Sequence, residues 1–282
     1  MSEPAAMLDC NGRPLDLGRP LVMGILNVTP DSFSDGGHFF CLDKALAHAR
    51  QMVADGADII DIGGESTRPG APEVSVEEEL FRIVPVIEAL ANSVSVPISI
   101  DTMKSAVMRA AWQHGAGLIN DVSALQADAE ALATVAELGA PVCLMHMKGT
   151  PRTMQKHPEY QDVCAEVFAF LSQRAEVCMA AGIPRDRIVL DPGIGFGKRV
   201  VHNLALLKHL PDLIRSGYPV LIGVSRKSFI GKVLDLPVEE RLEGGLALAV
   251  IAAWQGVRII RTHDVAATAR ALQMTSALLN VN

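Results

Sequence analysis

The stretch Arg187-Ile-Val-Leu-Asp-Pro-Gly-Ile-Gly-Phe-Gly-Lys198 gives the clearest indication of the fold. Residues 188–190 are apolar without polar alternation, which is typical of a strand with both faces buried in a parallel sheet. The run ends at Asp191, and Pro192 lacks the N–H that further strand pairing needs. This stretch therefore predicts a structural unit, a short buried strand that ends in a carboxylate.

Three glycines follow this strand at alternate positions, Gly193, Gly195 and Gly197. Glycine allows the backbone to lie close to a bulky neighbour, so the loop suggests a bound ligand with a flat face. The alternative is that Asp191 is only the N-cap of the next helix, and the stretch alone leaves both interpretations open. The glycine spacing matches neither a P-loop nor a dinucleotide-binding motif.

The same unit of an apolar run with a polar end recurs along the chain. Eight such strands are predicted, at residues 21–27, 58–61, 96–101, 118–121, 141–146, 188–191, 219–225 and 257–261. Helical spacing of apolar residues predicts helices at residues 42–55, 75–91, 104–114, 128–138, up to 181, near 239–254 and up to 279. The helix at 75–91 begins with a capping box formed by Ser75 and Glu78.

Eight strands alternating with helices, without a long linker between them, predict one (β/α)8 barrel, also called a TIM barrel. All 282 residues are predicted to form a single domain, with the barrel at residues 21–282. Residues 1–20 are predicted to hold a hairpin that closes one end of the barrel, because apolar residues alternate around Asn11-Gly12. The alternative is an open doubly wound sheet, which would carry phosphate-binding glycines directly after its first strand. Here the first strand ends in Asn27 instead.

Composition limits the class of protein. Hydrophobic residues make up 49% of the chain and aromatic residues 4%, so the predicted core is large and aliphatic. The net charge of −7 argues against a nucleic-acid surface, which is usually basic. No apolar stretch approaches the roughly 20 residues that span a bilayer, and the first residues do not resemble a signal peptide. Five scattered cysteines suit reduced thiols, so we expect a cytoplasmic protein that binds neither nucleic acid nor membrane.

Polar side chains collect at the predicted carboxyl ends of the strands, where barrels of this type carry their active sites. The set is Asn27, Asp61, Asp101, Asn120, His146, Asp191, Ser225 with Lys227, and Arg261 with His263. Each is costly to bury without a partner. Any single member can be explained as a satisfied cap or an ion pair, and this is the interpretation we favour for His146. The set as a whole predicts a ligand site.

Three members of this set supply hydrogen-bond acceptors. Asp101, Asn120 and Asp191 suit a planar ring rich in N–H groups, such as an aminopyrimidinone, and the amide can read a lactam edge because it both donates and accepts. Lys227 lies between the acceptors and the cations in chain order, so it can serve either group.

Other members carry or can acquire positive charge. Arg68, Arg261 and His263 match a phosphate or pyrophosphate. Asn27 offers a neutral oxygen, compatible with a magnesium ion that keeps waters and bridges phosphate oxygens. The residues therefore suggest a donor-rich heterocycle beside a pyrophosphate.

Two long motifs resemble the signature loops of one family. Residues 24–37 read Gly-Ile-Leu-Asn-Val-Thr-Pro-Asp-Ser-Phe-Ser-Asp-Gly-Gly, and residues 61–70 read Asp-Ile-Gly-Gly-Glu-Ser-Thr-Arg-Pro-Gly. Shorter blocks follow in that family's order at residues 99–102, 119–121, 190–193, 196–198, 225–228 and 261–263. Together they cover nearly the whole chain and resemble the bacterial dihydropteroate synthases, which are pterin-binding TIM barrels. One slight departure is Gly245, where relatives often have serine.

The resemblance implies a transferase of folate biosynthesis. Such an enzyme condenses 6-hydroxymethyl-7,8-dihydropterin pyrophosphate with para-aminobenzoate and releases pyrophosphate and 7,8-dihydropteroate. It further implies a magnesium cofactor, competition by sulfonamides at the para-aminobenzoate pocket, and a homodimer.

The resemblance also implies roles for individual residues. The catalytic groups would be Asp101, Lys227 and Arg261. The pterin pyrophosphate would be held by Thr67, Asp101, Asn120, Asp191, Lys227, Arg261 and His263. The para-aminobenzoate side and its loops would be formed by Phe33, Arg68, Pro69, Phe196 and Ser228. Asn27 would be the magnesium ligand.

Three other functions are compatible with parts of this pattern. A pterin-dependent methyltransferase barrel would share the pterin acceptors, but it has no use for the cations at Arg261 and His263. A non-catalytic pterin carrier would not need the intact set of polar strand ends. A Schiff-base aldolase would use Lys227 as its nucleophile.

Overall fold

Eight parallel strands form the centre of the molecule. The computed structural model describes residues 7–28, 38–66, 70–150, 153–156 and 158–281. Two short strands come first, β1 (Met7–Cys10) and β2 (Arg13–Asp16). The parallel strands are β3 (Leu21–Asn27), β4 (Ile59–Gly63), β5 (Ile98–Asp101), β6 (Leu118–Asp121), β7 (Val142–Met145), β8 (Ile188–Asp191), β9 (Leu221–Gly223) and β10 (Ile259–Thr262).

The parallel strands close into a barrel. Each pairs with its neighbour in the order β8-β7-β6-β5-β4-β3-β10-β9. The two ends of this order meet where the Leu190 amide donates to the Pro219 carbonyl at 2.9 Å, next to a parallel bridge between Leu190 and Val220. The predicted barrel and its eight strands are confirmed, and the doubly wound alternative is wrong because an open sheet has two unpaired edges.

Helices surround the strands. They are α1 (His38–Ala54), α2 (Val76–Ala91), α3 (Ser105–Gln113), α4 (Ala131–Leu138), α5 (Val163–Ala180), α6 (Val200–Lys208), α7 (Leu210–Ile214), α8 (Ser228–Leu234), α9 (Leu242–Gln255) and α10 (Val265–Leu279). Ser75 caps α2 by accepting a hydrogen bond from the Glu78 amide at 3.2 Å, as the capping-box pattern predicts. The sequence did not predict α6, α7 or α8, because segments of nine, five and seven residues are too short to show a clear helical period.

The hairpin of β1 and β2 closes the amino-terminal end of the barrel. Its inward-facing side chains Leu8, Cys10 and Leu15 are almost fully buried. They pack against inward-facing residues near the starts of the barrel strands, which are Leu21, Met23, Ile59, Leu118, Cys143, Val189, Leu221 and Ile259. The Asn11 side chain also donates to the Ala116 carbonyl at 3.0 Å. The predicted position of the hairpin is therefore confirmed, and the opposite end of the barrel is left for the polar strand ends.

A second apolar layer lies between the strands and the helices, and aliphatic residues dominate it. The four cysteines whose side chains are described, Cys10, Cys143, Cys164 and Cys178, are free thiols. Among the described residues, no helix is both long enough and apolar enough to cross a membrane.

We predict that Gly117→Ala lowers the free energy of unfolding by about 1–3 kcal/mol, the usual cost of overpacking. A methyl group at this position would lie 2.3 Å from the carbonyl oxygen of Cys10, which is backbone and cannot rotate away. Urea denaturation measures the change. Gly245→Ala is the matched control, because a methyl group there would meet its nearest atoms at 3.9 Å within helix α9. A Gly117→Ala protein as stable as this control would contradict the described packing of the hairpin.

Candidate active site

Arg261 lies at the centre of the carboxyl-terminal mouth of the barrel. From β10 its Nε donates to Asp61 Oδ2 at 2.6 Å and its Nη2 donates to Asp101 Oδ2 at 2.7 Å. The Asn120 side chain donates to the same Asp61 oxygen at 3.1 Å. One guanidinium therefore joins the ends of β4 and β5, and β6 is joined through Asn120. Asp61 has no exposed surface, so this bridge lies inside the protein.

The charges of this bridge affect one another. Burial disfavours the charged form of Arg261, but Asp61 and Asp101 outweigh it and raise the pKa of the guanidinium. Burial raises the pKa of Asp101 to about 7, although Arg261 opposes the shift. The pKa of Asp101 rises because two carboxylates share one cation in a buried environment. Arg261 therefore stays charged, while Asp101 can gain or lose its proton near neutral pH.

Asp191 and Lys227 form the other side of the mouth. Asp191 is buried, and its Oδ1 accepts a hydrogen bond from the Gly193 amide at 2.7 Å. Burial raises the pKa of Asp191 to about 6, against the Gly193 hydrogen bond and the charges of Lys227, Lys198 and Arg261. Burial lowers the pKa of Lys227 to about 8, and the Arg261 charge acts in the same direction.

The two sides belong to one site. Lys227 lies close enough to Arg261, Asp191 and Asp101 to interact with their charges, so these four groups belong to the same mouth. Lys227 Nζ also lies 4.2 Å from the centre of the Phe196 ring, a cation–π distance. The structure thus brings together the acceptors, the cations and one aromatic residue that the sequence assigned to a single site.

The glycine loop after β8 packs against protein backbone. A methyl group on Gly193 would lie 1.9 Å from the His146 carbonyl oxygen, and one on Gly197 would lie 2.6 Å from that of Lys148. Both glycines also have positive φ values, 67° and 62°. Helix α6 starts only at Val200 with Arg199 as its N-cap, so the interpretation of Asp191 as an N-cap is wrong.

Lys198 holds this loop from inside, a role the sequence reasoning missed. Lys198 is 4% exposed, and its ammonium donates to the carbonyls of Gly193 at 2.9 Å and Phe196 at 3.0 Å. Its nitrogen also lies 3.0 Å from His146 Nδ1. Burial lowers the pKa of His146 to about 3, with the Lys198 charge acting in the same direction. His146 is therefore a satisfied neutral residue, as expected, although its partner is a lysine and not a cap or a carboxylate.

His263 lies beside the site at the end of β10. Its Nδ1 is 3.1 Å from Ser225 Oγ, and Ser225 in turn donates to Asp264 at 3.3 Å. Burial lowers the pKa of His263 to about 4, and the charges of Arg261 and Arg226 add to the effect. His263 is therefore neutral near pH 7 in this state, so it supplies a hydrogen-bonding group where the sequence suggested a switchable charge.

Asn27 is the last residue of β3. It pairs with Gly63 of β4, which in turn pairs with Asp101 of β5. The Asn27 Oδ1 and the Asp101 Cβ would each lie 3.7 Å from a methyl group on Gly63. No group of three or more His, Cys, Asp or Glu side chains able to hold a metal occurs among the described residues. A magnesium ion that keeps most of its waters needs only a single protein oxygen, so Asn27 fits that kind of site and no other.

The remaining predicted residues divide into two groups. Ser228 is exposed at the first turn of α8, directly after Lys227. Phe33, Thr67, Arg68 and Pro69 lie outside the described residues, so their roles stay predictions. Asp61 is the residue whose importance the sequence understated. It was counted as a strand end without a role, yet it accepts hydrogen bonds from both Arg261 and Asn120.

Comparisons with known proteins agree with this geometry. The family model described as pterin binding enzyme matches residues 23–263. A dihydropteroate synthase of Haemophilus influenzae is 53% identical over 273 residues, which cover 97% of this chain and 99% of that protein. The structure of Xanthomonas albilineans dihydropteroate synthase with 4-aminobenzoic acid is 50% identical, covers 99% of this chain and 100% of that chain, and superposes with a TM-score of 0.93.

A second structure of the Xanthomonas albilineans enzyme, in complex with 7,8-dihydropteroate, is 48% identical and superposes with a TM-score of 0.89. It covers 98% of this chain and 100% of that chain. Identity of about one half over nearly the full length, combined with the same barrel, leaves no ambiguity of family. The chain belongs to the pterin-binding enzyme family, among its dihydropteroate synthases.

Proposed function

We propose that the protein condenses 6-hydroxymethyl-7,8-dihydropterin pyrophosphate with para-aminobenzoate, giving 7,8-dihydropteroate and pyrophosphate. The observation that carries this proposal is the single mouth where carboxylate and amide acceptors lie beside partly buried cations, with Arg261 hydrogen-bonded to Asp61 and Asp101. A pyrophosphate-release assay with both substrates tests it. Release that depends on para-aminobenzoate, with dihydropteroate as product, is expected. No turnover of the pair would refute the assignment.

The pterin would lie against the acceptors. Asp191 keeps one oxygen on the Gly193 amide, which fixes the side chain and leaves the other oxygen for a ring N–H. Asn120 uses its amide nitrogen on Asp61, which directs its oxygen away from that carboxylate. Because these groups are held by the protein before the ligand arrives, little reorganisation is needed on binding.

The pyrophosphate would lie on the side of Arg261 and His263. Arg261 spends two of its five N–H donors on Asp61 and Asp101, so three remain for phosphate oxygens. His263, neutral in this state, can donate a hydrogen bond or take up a proton beside an anion. We propose that Asn27 holds a magnesium ion with its side-chain oxygen, and such an ion would supply positive charge to the leaving group.

The chemical step would be a dissociative substitution. The C–O bond to pyrophosphate breaks, and its electron pair leaves with the pyrophosphate oxygen. The exocyclic carbon becomes cationic, and the nearby carboxylate of Asp101, when ionised, stabilises that charge. The arylamine nitrogen then forms the C–N bond and loses a proton to the released pyrophosphate or to water. Because the amine is weakly basic, its correct placement contributes more than its deprotonation.

Phe196 and Ser228 would frame the second substrate beside the pterin. The Lys227 ammonium, which would hold the pterin, lies over the Phe196 ring, and Ser228 follows at the open surface. We propose that Phe196 and Ser228, with Phe33, Arg68 and Pro69 of the two signature loops, form the para-aminobenzoate pocket where sulfonamides would compete. These loops would also exclude water, which would otherwise capture the cation.

We also propose that the enzyme is a cytoplasmic homodimer. Helices α9 and α10 pack together and expose large apolar side chains, including Ile251, Trp254, Met274 and Leu278. Such a patch on two adjacent helices suits a second copy of the same chain, since one surface can pair with itself about a two-fold axis. Analytical ultracentrifugation should find twice the chain mass of 30.1 kDa, whereas a monomer at micromolar concentration would contradict the proposal.

We predict that Asp191→Asn weakens binding of the pterin by about tenfold or more, since a charge-assisted hydrogen bond contributes about 1.5–3 kcal/mol. The amide oxygen can still accept from Gly193, which would turn its NH2 group toward the N–H donors of the ring. Isothermal calorimetry with the pterin measures the change. Asp186→Asn is the control, because Asp186 is exposed before β8. Equal pterin affinities in the two variants would remove Asp191 from the site.

We predict that kcat/KM for the pterin substrate falls as the pH drops below about 6, the pKa of Asp191. Below that pH the carboxyl is protonated and can no longer offer a charged acceptor. The diphosphate also titrates, so the affinity of a pterin without phosphates should be measured in parallel. The affinity of that pterin should decline over the same range. An affinity that does not change between pH 5 and 7, about one pKa unit on either side of the Asp191 value, would contradict this account.

A further inference from the structure

We infer that Lys198 is a positioning residue for the pterin, and that it acts through Asp191 without touching the substrate. Lys198 ends the glycine loop after β8, and its side chain is buried behind that loop. The inference rests on the proposed synthase reaction, because it concerns how the acceptor for the pterin ring is held in place and kept ionised.

Gly193 connects Lys198 to the side chain of Asp191. Its amide donates to Asp191 Oδ1 at 2.7 Å, and its carbonyl accepts from the Lys198 ammonium at 2.9 Å. The lysine nitrogen also lies close to this glycine, since a methyl group on Gly193 would be only 3.3 Å from it. A displacement of Gly193 would therefore move the donor that fixes one carboxylate oxygen of Asp191.

His146 makes a second connection between the same two residues. Its amide donates to the Asp191 carbonyl at 3.0 Å, and its own carbonyl accepts from the Lys198 ammonium at 3.2 Å. The backbone and the side chain of Asp191 are thus each bonded to a residue that Lys198 holds. One ammonium therefore sets the position of the whole acceptor.

The glycine loop has other supports, and these are neutral. The Gly195 carbonyl accepts from the Gln155 side chain at 2.7 Å, and the Gly197 carbonyl accepts from the Tyr160 hydroxyl at 2.8 Å. Holding loop carbonyls does not by itself require a cation, because amides and hydroxyls donate hydrogen bonds as well. The charge of Lys198 therefore calls for a separate explanation.

Asp191 supplies that explanation. The contacts of the Lys198 ammonium described above are all with neutral groups, three carbonyls and the His146 ring, and a buried cation is costly without an anion. Burial lowers the pKa of Lys198 to about 7, and the Asp191 charge opposes that shift. Lys198 is thus protonated at pH 6, where Asp191 titrates. A cation there favours the carboxylate, which is the form that accepts from the pterin.

Other titratable groups also face this pair from the surrounding elements. They are Cys143 and His146 of β7 and its loop, His202 of α6, Lys227 before α8, and Arg261 of β10. All of them stay in place when Lys198 alone is replaced. A change in the titration of Asp191 in such a variant therefore reports the charge of the lysine.

Two variants separate the charge of Lys198 from its hydrogen bonds. Lys198→Met removes both, whereas Lys198→Gln removes the charge and keeps two N–H donors. Calorimetry with 6-hydroxymethyl-7,8-dihydropterin, which has no phosphates, measures affinity against pH. The midpoint of its loss in acid should rise from about 6 by about one pH unit in both variants, as a nearby opposite charge is removed. At about pH 8, where Asp191 is largely ionised, Lys198→Met should still bind about two- to tenfold more weakly than Lys198→Gln, the effect of one lost hydrogen bond.

Gln155→Ala is the matched control. It removes the hydrogen bond to the Gly195 carbonyl without removing a charge, so the pH midpoint should stay where it is even though the loop loses a support. Urea denaturation records the stability of each protein separately. The inference is wrong if the two Lys198 variants fold and keep the midpoint of the unmodified protein. Unmodified protein that binds no pterin would instead refute the proposed function.

Asp191→Asn tests the same link without changing the lysine. It removes the anion that faces Lys198, so the ammonium should lose its proton about one pH unit lower than in the unmodified protein. NMR of protein labelled with 15N in its lysine side chains measures this titration, and Lys227→Met identifies the signal of the other lysine that faces Asp191. A Lys198 titration that is the same with and without the carboxylate would overturn the inference.

Discussion

The ion bridge between Arg261, Asp61 and Asp101 is the interaction on which the site depends. A guanidinium inside a barrel is tolerated only if its charge is matched, and each of the two aspartates supplies an oxygen within 2.7 Å. The bridge fixes Arg261 from two directions, which a single partner would not do. It also sets Asn120, because the amide donates to the same Asp61 oxygen. One cation and one fully buried carboxylate therefore fix polar side chains of β4, β5 and β6 before a ligand binds.

This arrangement needs the closed barrel beneath it. The hairpin of β1 and β2 fills the amino-terminal end with apolar side chains, and Cys143 and Val189 lie in the same layer. Water therefore has no entry from below, and the polar strand ends stand on a dry, close-packed base. Burial on such a base disfavours the charged forms, which is why the pKa values of Asp101 and Asp191 rise and the pKa of Lys227 falls.

The sequence predicted the barrel and the membership of the site because both depend on short-range patterns. Apolar runs ending in a polar residue identify the strands, and barrel topology then places their carboxyl ends together. It could not predict which charges pair with each other and which face the ligand. Asp61 lies inside β4 and pairs with Ser99, two residues before Asp101 on the neighbouring strand, and of these two aspartates only Asp61 is entirely covered.

The same limit applies to residues that depart from their usual environments. Lysine is rarely buried, so nothing in the local pattern marks Lys198 as an interior residue. Its position depends on the carbonyls of His146, Gly193 and Phe196, which meet only in the folded chain. Gly193 and Gly197 must likewise be glycine, because the backbone of His146 and Lys148 leaves no room for a side chain there. Contacts between segments some 50 residues apart, such as Lys198 with His146, leave no periodic trace in the sequence.

Several groups of the free site have pKa values that allow their protonation to change when a charged ligand binds. His263 is neutral, and Lys227 and Asp191 titrate on either side of pH 7. An arriving diphosphate raises the pKa of nearby cationic groups, so His263 and Lys227 would hold protons more firmly once it is bound. N–H donors on the pterin lower the pKa of Asp191 and favour the carboxylate. Substrate binding would therefore create much of the charge that holds the substrate, and the free-site protonation states would return once pyrophosphate has left.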